Sequence, residues 1–150
     1  MKAILGALLL TVVVGCGRAD EPARVSDGDA LAILESTPWL DRVPEAETDV
    51  LHTYVYARGE GVYVTGNAHK GSYETFRYFV EDDRLRLRFT DEGKSYDARF
   101  RIERVRHRIF EWKLTFDRSP RGPDVYYGFD HGRGRGALPA WVARLAGGVR

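Results

Sequence analysis

The sequence predicts an all-β domain, an up-and-down antiparallel β-barrel of about eight strands with a short C-terminal helix. Three observations predict it. From residue 50 onward, apolar and polar residues alternate with a period of two. Turn-forming clusters interrupt the alternation about every 11 residues, the spacing of short strands in barrels and sandwiches. These clusters (Arg58 to Gly61, Gly66 to Gly71, Glu81 to Asp83, Asp91 to Lys94, Ser119 to Pro123) are short. Neighbours in sequence therefore pair antiparallel.

The elements follow in order. Ser26 is placed to cap a short helix whose apolar content is Ala30, Leu31, Ile33 and Leu34. Pro38 closes it. Trp39 and Leu40 open an extended segment that Pro44 ends. Strands are expected at about 50–57, 61–66, 73–80, 84–90, 95–103, 109–117 and 124–129. Three of them have a clean apolar face: Leu85, Leu87 and Phe89; Tyr96, Ala98, Phe100 and Ile102; and Phe110, Trp112, Leu114 and Phe116. One apolar face and one polar face mark a half-buried antiparallel strand. Between residues 50 and 80 the alternation does not choose an inner face, because Val55 opposes Tyr54 and Tyr56, and Phe79 opposes Phe76 and Tyr78. Near the C-terminus Leu138, Trp141, Val142 and Leu145 form a helical stripe. Pro139 suits its first turn, and Gly147-Gly148 stops it.

The N-terminus carries a different signal. Met1-Lys2 is followed by an uncharged apolar run, Ala3 to Val14. The run falls short of the about 20 residues of a spanning helix and fits a secretory core of about 7–15. It ends Val13-Val14-Gly15-Cys16, at the only cysteine of the chain. This junction resembles the bacterial lipobox. The resemblance implies cleavage before Cys16 and lipidation of Cys16, with acyl chains contributing about 0.8 kcal/mol per buried CH₂. Gly17-Arg18, with no aspartate next to the cysteine, implies the outer membrane as destination, facing the periplasm. The expected organisation is a signal peptide over 1–15, lipidated Cys16 and a polar tether over 16–28, and one barrel domain over 29–150.

Composition excludes several functions. Without residues 1–15 the chain has 22 basic and 22 acidic residues, so no nucleic-acid partner is expected. With Cys16 lipidated no thiol remains for a disulfide, a cysteine-ligated metal or a nucleophile. His52, His69, His107 and His131 have no ligand spacing, so no metal is expected. Ser72, Ser95 and Ser119 lie in turns without a base nearby in sequence, Glu74 and Asp97 show no acid–base pattern, and no catalytic residue or cofactor is assigned. The glycine-rich loop at 131–136 lacks the strand-to-helix context of a phosphate loop.

Pro38-Trp39-Leu40, "YVYARGEGVYVTG", "YETFRYFVEDDRLRLRF" and "GPDVYYGF" together resemble the small lipocalin-like, calycin-type domains of bacterial lipoproteins. The lipocalin signature G-x-W is altered here, since Ser36-Thr37-Pro38 precede Trp39. The resemblance implies a barrel with a mouth and a small apolar cavity. Trp39, Tyr54, Tyr56, Phe76, Tyr78 and Trp112 are the candidates to line it; the same rings equally suit a filled core. Arg84, Arg86 and Arg88, with Arg99 and Arg101 on the adjoining strand, form a basic face. It suits an anionic lipid or cell-wall polymer, or a solvated surface balanced by Asp97, Glu103 and Glu111. Two functions follow as expectations: a non-catalytic carrier of a small apolar or amphipathic ligand inside the barrel, or a protein-interaction module with a filled barrel. They differ in whether the interior holds a cavity or the exterior holds an exposed aromatic patch.

Overall fold

The computed structural model describes residues 25–129 and residue 140. Helix α1 (Asp27–Ser36) leads into β1 (Trp39–Leu40), β2 (Leu51–Ala57), β3 (Glu60–Gly66), β4 (Gly71–Glu81), β5 (Arg84–Phe89), β6 (Ser95–Arg104), β7 (Phe110–Phe116) and β8 (Val125–Phe129). Each strand pairs antiparallel with the next, and β1 pairs with β8, closing an eight-stranded barrel. The all-β, up-and-down expectation holds, and the architecture is compatible with a lipocalin-like fold. The signal segment, Cys16, most of the tether, the loop at 131–136 and the expected C-terminal helix lie outside the described residues.

The turns do what their residues allow. Ala57 pairs with Glu60 across a two-residue hairpin whose Arg58 and Gly59 both have positive φ, 52° and 82°. Two positive values in succession match the right-handed twist of the flanking strands. Ser26 occupies the helix cap position, but its hydroxyl donates to Asp29 Oδ2 at 2.6 Å instead of accepting a backbone N–H.

The undecided face of residues 50–80 is settled by pairing. Tyr54 lies opposite Tyr63, Tyr56 opposite Gly61, and Gly61 opposite Phe76. These positions point inward, and Val55, Val62, Thr75 and Phe79 point outward. Valines are less amphipathic than tyrosines, so hydropathy alone misleads here. The tyrosines go inside because their rings fill the barrel.

One expectation is corrected. Phe110 does not share the inner face with Trp112. A β-bulge between them pairs Phe110 with Phe129 and Trp112 with Gly128. The extra residue, Glu111, reverses the side-chain alternation. Phe110 therefore joins Leu40, Leu51 and Phe129 in a second core on the outside of the barrel, covered by Val43, Ala68 and Ile109.

Candidate functional site

The six cavity candidates are brought together, but largely against each other. Trp39, Tyr54, Tyr56, Phe76 and Tyr78 are buried, and Trp112 is half-buried against the same cluster. Tyr54 is the hub. Its ring centroid lies 4.9 Å from Tyr63, 5.1 Å from Tyr126, 5.7 Å from Tyr56 and 5.8 Å from Phe76. Phe89, Phe100, Leu114 and Phe116 fill the remaining interior. Ring contacts of this kind, stacked, tilted and edge-to-face, are the packing of a core.

Both ends of the barrel are sealed, by different chemistry. At one end α1 lies across the opening and buries Ala30 and Leu34. Trp39 Nε1 donates to the Leu34 carbonyl at 2.9 Å, and the Tyr78 hydroxyl donates to Glu35. Thr37 ties this end to the last strand by accepting the Phe129 N–H at 2.8 Å. Gly128 is needed beneath it: a Cβ there would stand 2.6 Å from the Thr37 methyl.

At the other end the β7–β8 loop is the seal. The Arg121 guanidinium sits 4.2 Å from the centroid of Phe89 and 5.2 Å from that of Tyr96. Glu74 accepts a bidentate pair from Arg121 at 3.0–3.2 Å, and Glu92 accepts at 2.6 Å. The Arg121 carbonyl accepts three hydroxyls: Ser119 at 2.5 Å, Tyr126 at 2.8 Å and Tyr54 at 3.2 Å. Beside them His52 Nδ1 and the Tyr63 hydroxyl share a hydrogen bond of 2.5 Å. Burial pushes the Tyr63 phenol up to about 12, and raises those of Tyr54, Tyr126, Tyr56 and Tyr78 well above the ordinary value. These groups stay protonated at neutral pH; the Tyr54, Tyr126 and Tyr78 hydroxyls serve as hydrogen-bond donors. Sequence reasoning missed this mouth, because Glu74, Glu92 and Arg121 meet only when the barrel closes.

Among the described residues, two further histidines and several carboxylates are engaged locally. His107 accepts the N–H groups of Ile109 and Phe110 and stacks on Phe110. His69 lies 4.0 Å from Glu47. Asp97 pairs with Arg86 at 2.8 Å, Glu103 with Arg101 and Glu111 with Arg104. Among the described residues no three of His, Cys, Asp and Glu gather as a metal cage, and no helix is long and apolar enough to cross a membrane.

A concavity of about 700 Å³ lies on the outside of the barrel. It lies over β2–β5. Its floor is Val55, Ala57, Val62 and Thr75, and Glu60, Arg77, Arg88 and Thr90 form its walls. The outward positions of β4 run Tyr73, Thr75, Arg77, Phe79, so one exposed ring stands on either side of it. Tyr73 is 72% exposed and Phe79 63%.

No family model, curated protein or solved structure matches the chain.

Proposed function

We propose that this chain is an envelope lipoprotein held by Cys16, whose filled barrel serves as a non-catalytic docking module. The working surface is the concave outer face of β2–β5. The observation that carries this reading is the inversion of burial along β4. Phe76 and Tyr78 are spent on the core, whereas Tyr73 and Phe79 stand in solvent beside an open concavity. Large exposed rings around a hollow are characteristic of interaction sites. The described strands close into a barrel, so a partner is read chiefly by side chains and not by strand addition.

Two measurements test it. A photo-crosslinking residue at position 73 or 79 in living cells should capture a discrete envelope component, and the same probe at exposed Arg42 should not. Equal capture at all three positions overturns the docking face. Cys16→Ser should move the protein to the soluble fraction; continued membrane fractionation overturns the anchor.

The carrier reading has one observation in its favour. The Tyr56 hydroxyl is fully buried with no hydrogen-bond partner, and a polar ligand atom would satisfy it. Native mass spectrometry of residues 17–150 tests this: an extra mass that leaves on activation supports an occupied interior, and a bare mass after incubation with envelope lipids rejects it.

A further inference from the structure

We propose that the outer face of β2–β5 docks on an anionic lipid leaflet. Its arginines take phosphate headgroups, and its two exposed rings and apolar floor enter the boundary between headgroups and acyl chains. This names the partner of the docking face and rests on that reading.

The register of the strands is the first argument. Arg77 lies directly opposite Arg88, and Arg84 directly opposite Arg99. Like charges facing each other across strands are destabilising. The Arg84, Arg88 and Arg99 side chains make no ion pair with any described residue. Arg77 reaches only Glu60, at 3.8 Å with both groups exposed, a contact worth little in water. Arg86 alone is well matched, by Asp97. Arg77, Arg84, Arg86, Arg88 and Arg99 thus share this side of the barrel with Glu60, Glu81, Asp97 and Asp117, whose carboxylate accepts the Arg99 backbone N–H at 2.9 Å. The surplus is positive although the chain without residues 1–15 is neutral, so the charge is segregated and invites an anion.

The second argument is the ring among the charges. Phe79 is paired with Arg86, and Arg84 and Arg88 stand diagonally from it. An acidic protein would use the arginines for charge and the rings for contact area. A lipid leaflet uses both as well, since aromatic groups sit at headgroup depth while arginines reach phosphate. Val55, Ala57 and Val62 then offer the hollow between the rings to an acyl chain.

The third argument is where the described chain begins. The Val25 N–H donates to the Ile102 carbonyl at 3.1 Å, on β6, the strand that carries Arg99. Nine Cα steps separate Cys16 from Val25, at most about 30 Å of chain. A lipid at Cys16 would keep this side of the barrel within reach of the leaflet.

Vesicle flotation of residues 17–150 tests the proposal. That chain keeps every described element and has no lipid of its own. Phosphatidylcholine vesicles containing phosphatidylglycerol should carry the protein, pure phosphatidylcholine should not, and added salt should release it. Arg77→Gln and Arg88→Gln should each weaken partition about fivefold, Phe79→Ser should weaken it without changing the salt dependence, and Arg42→Gln should leave it unchanged. Near-UV circular dichroism confirms that each variant is folded. Equal binding to both vesicles, no binding to either, or an equal loss with Arg42→Gln overturns the proposal. Capture of an acidic protein from positions 73 and 79 without vesicle binding leaves the docking face standing and rejects the lipid. Failure of both experiments rejects both.

Discussion

The two faces of β4 carry the same kind of side chain in opposite surroundings. Inward, Phe76 and Tyr78 are almost wholly buried, each in contact with Tyr56. Outward, Tyr73 and Phe79 are mostly exposed, two residues on either side of Thr75 and Arg77. All four are aromatic. What separates them is the pleat: successive side chains point to opposite sides of a strand, and a closed barrel has only one interior. The difference teaches that aromatic content by itself does not mark a ligand cavity. Here the rings inside hold the fold and the rings outside are free to meet something else.

The strongest way to break this comparison is from the inside. Phe76→Ala should cost about 3–5 kcal/mol in urea unfolding, because the ring touches Tyr54, Tyr56, Tyr78 and Phe89. A much smaller loss would mean that the interior is not a packed core. Alkali attacks the same region. The inward tyrosines hold their protons more tightly folded than unfolded, so their contribution is complete below about pH 10, the value for an unfolded tyrosine. It is lost as pH rises through about 12 at Tyr63. Absorbance of tyrosinate should therefore rise together with loss of near-UV circular dichroism. Early ionisation of all tyrosines in a folded protein would contradict the burial.

The mouth gives an intermediate effect. Arg121→Ala should cost about 1.5–3 kcal/mol, the range for hydrogen bonds to charged groups, since Glu74 and Glu92 lose their shared partner. Tyr54 and Tyr126 keep theirs, because the acceptor is the backbone carbonyl of residue 121. Denaturation of Arg121→Ala beside Glu74→Gln would show whether the two losses overlap, as members of one network should. Tyr56→Phe should be neutral or slightly stabilising, within about 1 kcal/mol, since the buried hydroxyl it removes has no partner. A large loss there would point to a bound water or ligand. Phe79→Ser, at the far end of the scale, should change stability by no more than about 0.5 kcal/mol, while still weakening docking. Destabilisation on the scale of Phe76→Ala would move Phe79 into the fold and end the comparison.

Much of the architecture was legible in the sequence. The period of two, the turn clusters and the alternation in "RLRLRF" and "SYDARFRI" are local properties of a chain that must bury one face of each strand. They determined the number, order and direction of strands, and the inner faces of β5 and β6. A lipobox-like junction is local in the same sense, so the expectation for Cys16 needs no fold. Tertiary structure alone decided the rest. Which face of β2 and β4 turns inward depends on pairing partners, because hydropathy alone would bury Val55 and expose Tyr54. The reversal of Phe110 depends on one extra residue in β7 facing β8, a mismatch invisible within β7. The Arg121 seal joins residues 47 positions apart, Glu74 and Arg121, and the opposed arginines belong to different strands. Local sequence carries periodicity; it does not carry the closure that decides which rings share an interior and which charges are left facing each other.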